Sequence, residues 1–399
     1  MGGAAVAVIG ASGATGRVVA EELAGHVPGG ALVLAGRDPA RVRAALPGVA
    51  PRFDVRAVDV FDDRSLAALC ADCDVVVNCA GPSAAVRDRV ARAAVAAGAH
   101  YVDPGGDEEV VAALVDSWRE PADRGLSCVF YAGWIPGLSG VLVRWVDGVA
   151  RSRGVRVSAL DLFCGDSNVW SETGFEDALS LFSRYPGPYS YAGGRVVSRR
   201  LAQPSAWRRV ALPAPIGRRL AFMCFMSELR QFARESDANV ASWVAPLGSP
   251  LTGAAMAAGA AMVGPRPRLA ARLLRAATAR DARSGRAGSG VGVLAARATG
   301  RLGGRPASVS ATVVERRHYL VTGVACAIGV RMLLDGRLSA RGCRYLCDVV
   351  DPAAFVDELA RRGIVAHLDA PGSPAPPARQ ASPAAHASPA SRAPHAAHA

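Results

Sequence analysis

The sequence predicts an α/β protein in which a doubly wound parallel sheet is joined to a second, α+β domain. Three observations predict it. The first third of the chain alternates short apolar runs with helix-like segments. A glycine-rich turn follows the first of those runs. After Tyr131 the alternation gives way to longer strand patterns, loops and scattered aromatic residues.

The elements follow in order. Residues 4–9 are continuously apolar, as a strand covered on both faces should be. The turn and a helix to about residue 23 come next. Residues 31–35 form a second strand, and Pro39 opens a helix at a position proline tolerates. Residues 53–60 alternate as a third strand, and Asp62 and Asp63 can cap the next helix. Residues 75–78 are strand four; the helix after it ends at Gly98. Residues 101–103 are strand five, Asp107 caps a helix, and residues 128–131 are strand six. Six strands with helical connections imply a parallel sheet with right-handed crossovers. Beyond it, residues 141–149 read as a helix and 155–164 as a strand. Residues 246–280 read as helical around a proline break, 291–296 and 307–315 as a hairpin, and 321–334 and 352–362 as helices. The expected domains are 1–135, 136–368 with the α+β unit inserted before the C-terminal helices, and a low-complexity tail, 369–399. That tail, rich in Pro, Ala, Ser and His, has too little apolar area to fold.

Hydrophobic residues make up 51% of the 399 and charged residues 20%, which permits a large core. All 46 basic residues are Arg, and the formal net charge is +12. With no Lys, Schiff-base chemistry and a Y-x-x-x-K catalytic pair are excluded. The arginines are scattered, so no nucleic-acid partner is expected. The nine cysteines show no metal spacing, so no metal site is expected, and they read as reduced thiols of a cytoplasmic protein. No apolar run reaches the ~20 residues of a spanning helix, and no membrane partner is expected. The N-terminus enters a strand without the basic stretch of a signal peptide.

The motif that carries chemistry is Gly10-Ala11-Ser12-Gly13-Ala14-Thr15-Gly16. It stands between a strand and a helix, the context of a dinucleotide-binding Rossmann turn. Gly10 permits the tight turn, Gly13 lets backbone N–H groups reach a pyrophosphate, and Gly16 lets helix and strand pack closely. The helix N-terminus supplies free N–H groups and a positive dipole end. Ser12, Ala14 and Thr15 complete the expected contact set. Strand two ends at Arg37 followed by Asp38. An Arg there suits a 2′-phosphate, whereas Asp38 fits a helix cap, so NADP(H) is the expected cofactor. Asp59 and Val60 are placed at the adenine edge. Asn78, Ala80, Gly81 and Pro82 are placed at the mouth of the nicotinamide crevice.

With those motifs in view, the chain resembles the saccharopine dehydrogenase (saccharopine reductase-like) family. The resemblance rests on GASGATG at 10–16, NCAGP at 78–82, YVDPGGD at 101–107 and Gly133-Trp134-Ile135-Pro136-Gly137-Leu138. Tyr319-Leu320-Val321-Thr322-Gly323 and Leu334-Asp335-Gly336 are similar to the family's closing helix and turn. It implies an NAD(P)-dependent oxidoreductase with a substrate and dimerisation domain, working as a homodimer. The family includes saccharopine-forming reductases, carboxynorspermidine and homospermidine synthases and trans-acting enoyl reductases. The Pro-Glu that follows Gly-Val in saccharopine reductases is absent after Gly342-Cys343, which argues against the lysine-pathway reaction itself.

The expected function is NADPH-dependent reduction of a C=N or C=C bond. The substrate would be an amino-acid-derived or biosynthetic intermediate, free or carrier-bound. The alternative is a non-catalytic NADP-binding redox sensor, and a family member without turnover is a third reading. Asp103, Tyr101 and His100 are the candidate catalytic residues, with Ser139, Glu172, His318 and Tyr319 as further proton-donor candidates. Trp170, Trp207, Phe222, Phe225 and Trp243 either line an apolar pocket or pack in the core.

Overall fold

The computed structural model describes residues 4–184, 187–262, 266–285, 289–338 and 341–371. Six parallel strands form first: β1 (Val6–Ile9), β2 (Leu32–Gly36), β3 (Asp54–Ala57), β4 (Val75–Asn78), β5 (His100–Val102) and β6 (Ser127–Phe130). Helices cross between them. β1, β2, β4 and β6 are buried at every position, which is why each reads as an unbroken apolar run. The capping residues stand where expected. The Asp38, Asp62 and Asp107 carboxylates accept N–H groups of the helices they open, and Gly98 closes its helix in the left-handed region.

The second sheet holds β7 (Arg156–Asp166), β8 (Tyr189–Ala192), β9 (Arg195–Ser198), β10 (Trp207–Leu212), β11 (Gly217–Met223), β12 (Asn239–Val244), β13 (Gly292–Leu302) and β14 (Arg305–Glu315). The hairpin β13–β14 is longer than the two apolar runs suggest, because its outer halves carry exposed Arg and Gly that hide the period. The chain then returns. β15 (Gly342–Tyr345) adds a seventh parallel strand beside β6, and β16 (His367–Asp369) pairs with β14. The orders are β15-β6-β5-β4-β1-β2-β3 and β10-β11-β12-β7-β13-β14-β16, with the β8–β9 hairpin beside β12.

Three expectations change. β15 escapes the sequence pattern because four residues carry too few alternations to register. Strand three stops at Ala57; Val58 and Val60 are buried beyond it as part of the following loop. The folded chain runs past residue 368: Asp369 pairs with Ser310 and Ala370 is buried. The rest of the tail, with His386, His395 and His398, lies outside the described residues.

Two helices tie the sheets together. Helix Leu138–Ser152 leaves the first sheet and lies across β7, β13 and β14. Helix His318–Leu334 packs along the first helix, Ala14–Ala24. A Cβ on Gly323 would stand 2.4 Å from Val18 Cβ, so only glycine allows this approach. Among the described residues no helix is long and apolar enough to cross a membrane.

Candidate active site

The strand order reverses between β1 and β4, the switch point beyond whose strand ends open α/β sheets hold their ligands. The turn at its floor is built by glycine. Gly10 has φ +78°, and a Cβ on it would lie 2.8 Å from the Cys79 carbonyl. A Cβ on Gly16 would lie 2.2 Å from the Gly10 carbonyl oxygen. Gly13 is exposed and heads helix Ala14–Ala24, whose N-terminus no side chain caps. The helix therefore offers unpaired N–H groups and the positive dipole end to an anion, which fits a dinucleotide pyrophosphate. Ser12 and Thr15 flank this opening, half-exposed.

The exit of β2 divides the two neighbouring charges by role. Asp38 Oδ1 accepts the N–H of Ala40 at 2.9 Å and of Arg41 at 3.1 Å. Its carboxylate is committed to the helix, while Arg37 stands exposed at the rim. An Asp38→Ala variant is accordingly expected to lose about 1 kcal/mol of stability in urea melts with unchanged dinucleotide affinity by titration. Asp59 accepts Phe61 N–H at 3.0 Å, so it shapes its own turn, with Val60 buried beside it.

Asn78 ends β4 and works in two directions. Its Oδ1 accepts Ala80 N–H at 3.1 Å and its Nδ2 donates to Tyr101 Oη at 3.3 Å. That fixes the Ala80-Gly81-Pro82 loop. The second domain closes on the same loop: Ser83 donates both its N–H and its Oγ–H to Asp177 Oδ1, each at 2.8 Å. Burial pushes the Asp177 carboxyl up to about 6.

The three catalytic candidates separate. Tyr101 Oη donates to Asp103 Oδ2 at 3.0 Å, and Asp103 Oδ1 accepts Tyr131 N–H at 3.1 Å. Tyr131 has φ +60°, so this contact holds a conformation that L-residues seldom adopt. Burial pushes Asp103 up to about 7 against those donors. Asp103 and Tyr101 come together, as a buried pin under the crevice whose oxygens are already engaged. His100 does not join them. It starts β5, at the end of the sheet away from the crevice, and its Nδ1 accepts Ser127 N–H at 2.9 Å. A three-residue strand places its first and last residues at opposite ends, so spacing alone could not separate His100 from the site.

Three of the four further candidates, Ser139, Glu172 and Tyr319, are also engaged. Ser139 is buried and donates to Glu228 Oε1, while Gly137 N–H donates to Glu228 Oε2 at 2.7 Å. Glu228 has no solvent exposure, and burial pushes it up to about 8. Glu172 pairs with Arg272 and Arg275 on the surface. Tyr319 Oη accepts Ser171 N–H at 2.6 Å and donates to Ser171 Oγ. The five aromatic residues do not form one pocket. Trp243 stacks on Phe163 and Trp170 on Phe175, Phe225 packs tilted against Tyr189 and Tyr191, and Trp207 meets Phe222 at the surface.

A buried polar group lies between the loop after β6, the end of β7 and the head of helix His318–Leu334. Asp166 Oδ1 accepts Asn168 N–H at 2.7 Å, and the Trp134, Asn168 and Trp170 side chains stand close enough to hold its carboxylate, while among the described residues Trp134 Nε1, Asp166 Oδ2, Asn168 Nδ2 and His318 Nε2 make no well-formed hydrogen bond. Burial pushes Asp166 up to about 6 and His318 down to about 4. Gly292 makes room: a Cβ there would lie 2.9 Å from Asp166 Oδ2 and 3.3 Å from Trp134 Nε1. Trp170 lies 5.9 Å from the His318 ring. Trp134 belongs to the loop after β6, and His318 begins the helix that runs past Thr15 at Gly323. Of this set the sequence signalled Trp134, within the Gly133–Leu138 loop, together with Trp170 and His318; Asp166 and Asn168 sit in an unremarkable strand end.

Fold and turn together define a two-domain, nicotinamide-dinucleotide-binding protein with a Rossmann core. Residues 6–124 match the saccharopine dehydrogenase NADP binding domain family. The chain is 31% identical over 148 residues to a lipid droplet localized protein of Caenorhabditis elegans, covering 34% of this chain and 35% of that one. It is 30% identical over 158 residues to the Arabidopsis thaliana protein named probable mitochondrial saccharopine dehydrogenase-like oxidoreductase, covering 35% of each. The match thus spans about a third of these curated relatives. In structure it superposes on saccharopine dehydrogenase (L-Glu forming) of Saccharomyces cerevisiae with TM-score 0.63 at 17% identity, over 92% of this chain and 99% of that one. Homospermidine synthase of Legionella pneumophila, solved with NAD, gives TM-score 0.57 at 12% identity, over 95% and 96%. Both share the two-domain fold.

Proposed function

We propose that the protein is an NADPH-dependent oxidoreductase that reduces a C=N or C=C bond of an amino-acid-derived or biosynthetic intermediate. The observation that carries this reading is the uncapped helix at Gly13, with Arg37 free beside it and Asp38 spent on its own helix. The exposed Arg37 guanidinium at that rim suits a 2′-phosphate, whereas Asp38 Oδ1 is already taken by two N–H groups of its own helix. The dinucleotide would supply the hydride. The chain's own part is to hold it on Gly10–Gly16 and Asn78–Pro82 and to present the substrate.

The incompletely hydrogen-bonded group of Trp134, Asp166, Asn168 and His318 is the substrate-facing surface in this reading. Buried polar atoms without partners are costly and are retained where a ligand completes them. Asp103 and Tyr101 position the floor instead of exchanging protons. A free or carrier-bound substrate, a homodimer joined through the second domain and a cytoplasmic setting complete the proposal; nine free cysteines suit a reducing compartment.

The test is NADPH consumption against a panel of imines and enoyl compounds, followed at 340 nm absorbance or its equivalent. Turnover with one class fixes the bond reduced. An Asp166→Asn variant is expected to lose about 10–100-fold in kcat/KM, the worth of one charged contact, with NADPH affinity unchanged. NADPH binding without turnover on any substrate would favour the sensor reading.

A further inference from the structure

Residues 178–227 contain eight Arg and not one Asp or Glu, within a chain that carries 34 acidic residues. Spread over the whole sequence the arginines look scattered; this segment concentrates them without counter-charge. It folds as two hairpins, β8–β9 and β10–β11. Both hang on the same edge of β12, at Val240↔Tyr191 and at Phe222↔Val244, because β7 occupies the other edge. β9, the link after it and β10 therefore make the outer margin of the second sheet.

That margin is basic and apolar at once. Among the described residues Arg195, Arg199, Arg200, Arg209 and Arg218 have no acidic side chain within 4.0 Å, whereas Arg184 and Arg208 do. Four large apolar side chains stand out between them: Val196 is 55% exposed, Leu201 48%, Trp207 39% and Leu220 51%. The register sets Arg209 opposite Leu220 and Trp207 opposite Phe222, so Trp207, Arg209 and Leu220 share one face. Trp207 Nε1 donates to Leu201 O at 2.6 Å, which draws Leu201 to the same place.

We propose that this margin docks the protein on an anionic lipid surface. Guanidinium groups pair with phosphate oxygens in bidentate fashion. Trp sits by preference at the headgroup level, and single aliphatic side chains enter the acyl boundary beneath it. A nucleic acid would use the arginines but leave Val196, Leu201 and Leu220 in water. The surface lies outside the crevice, so the inference stands apart from the oxidoreductase reading.

The experiment is co-sedimentation of the full chain with vesicles of phosphatidylcholine alone and of phosphatidylcholine mixed with phosphatidylglycerol. Wild type is expected to sediment only with the anionic vesicles and to be released by high salt. The triple variant Arg200→Glu, Arg209→Glu, Arg218→Glu is expected to lower partitioning on the order of 100-fold or more. Trp207→Ala is expected to weaken it as well, with dinucleotide titration and thermal melts as folding controls for both. Failure of wild type to sediment with anionic vesicles overturns the proposal. So does wild-type partitioning by the triple variant. A concentration-dependent dimer abolished by the triple variant, without vesicle binding, would assign the margin to a second copy instead.

Discussion

Gly16→Val is expected to abolish dinucleotide binding, raising the dissociation constant for NADPH more than ~100-fold and lowering stability by about 3 kcal/mol. The reason is geometric. A single Cβ at residue 16 would lie 2.2 Å from the Gly10 carbonyl oxygen, 2.8 Å from its carbon and 3.1 Å from Ala11 Cα. All three are backbone atoms and none can swing aside. Relief requires the helix to lift from β1, and with it the N–H groups aimed at the pyrophosphate. Gly10 cannot compensate, since its own approach to Cys79 and Ala80 leaves no slack. Fluorescence titration and a thermal melt of the same variant separate the two losses. Tight NADPH binding by Gly16→Val would show that the turn is not the cofactor's cradle.

The second large effect centres on Glu228, which joins the domains. Its two oxygens receive Gly137 N–H and Ser139 Oγ–H, and the room for it comes from Gly140, where a Cβ would lie 2.9 Å from Oε2. Glu228→Ala strands two buried donors and leaves a hole, for an expected loss of about 3–5 kcal/mol. Glu228→Gln keeps a partner for each and is expected to fold well. The pH dependence distinguishes the two further. Burial raises the carboxyl from an ordinary 4.5 to about 8, so the folded chain keeps a proton that the unfolded chain has released. Stability from this group is full below pH 4.5 and declines as pH rises through 8. In Glu228→Gln that decline should vanish, leaving the variant more stable relative to wild type at pH 9 than at pH 5. Parallel melts across that range check the sign; an identical slope for both proteins would mean that Glu228 is ionised in the folded state throughout.

The parts legible in the sequence were those with strong local constraints. The caps at Asp38, Asp62 and Asp107 follow from contacts within a few residues, and the apolar strands and the spacing of Gly10, Gly13 and Gly16 are short, recurrent patterns even where, as between Gly10 and Cys79, the contact itself is distant. The rest depended on distant chain. β15 is four residues long and is a strand only because β6 offers it an edge. Glu228 lies 89 residues from Ser139, and nothing near it in sequence marks its role. His100 and Asp103 are three residues apart yet stand at opposite ends of a strand. The group around Asp166 and His318 is assembled from the loop after β6, the end of β7 and the head of helix His318–Leu334, with Gly292 of β13 making room, so the sequence could show single members and not that they meet.

In the proposed function Gly10–Gly16 and Arg37 hold NADPH. The most direct test is a titration of wild type and Arg37→Ala with NADPH and NADH, followed by intrinsic Trp fluorescence. Wild type is expected to bind NADPH more tightly than NADH, and the variant to lose about 10–100-fold for NADPH alone. Equal affinities in wild type, or an Arg37→Ala variant that weakens both dinucleotides alike, would contradict it.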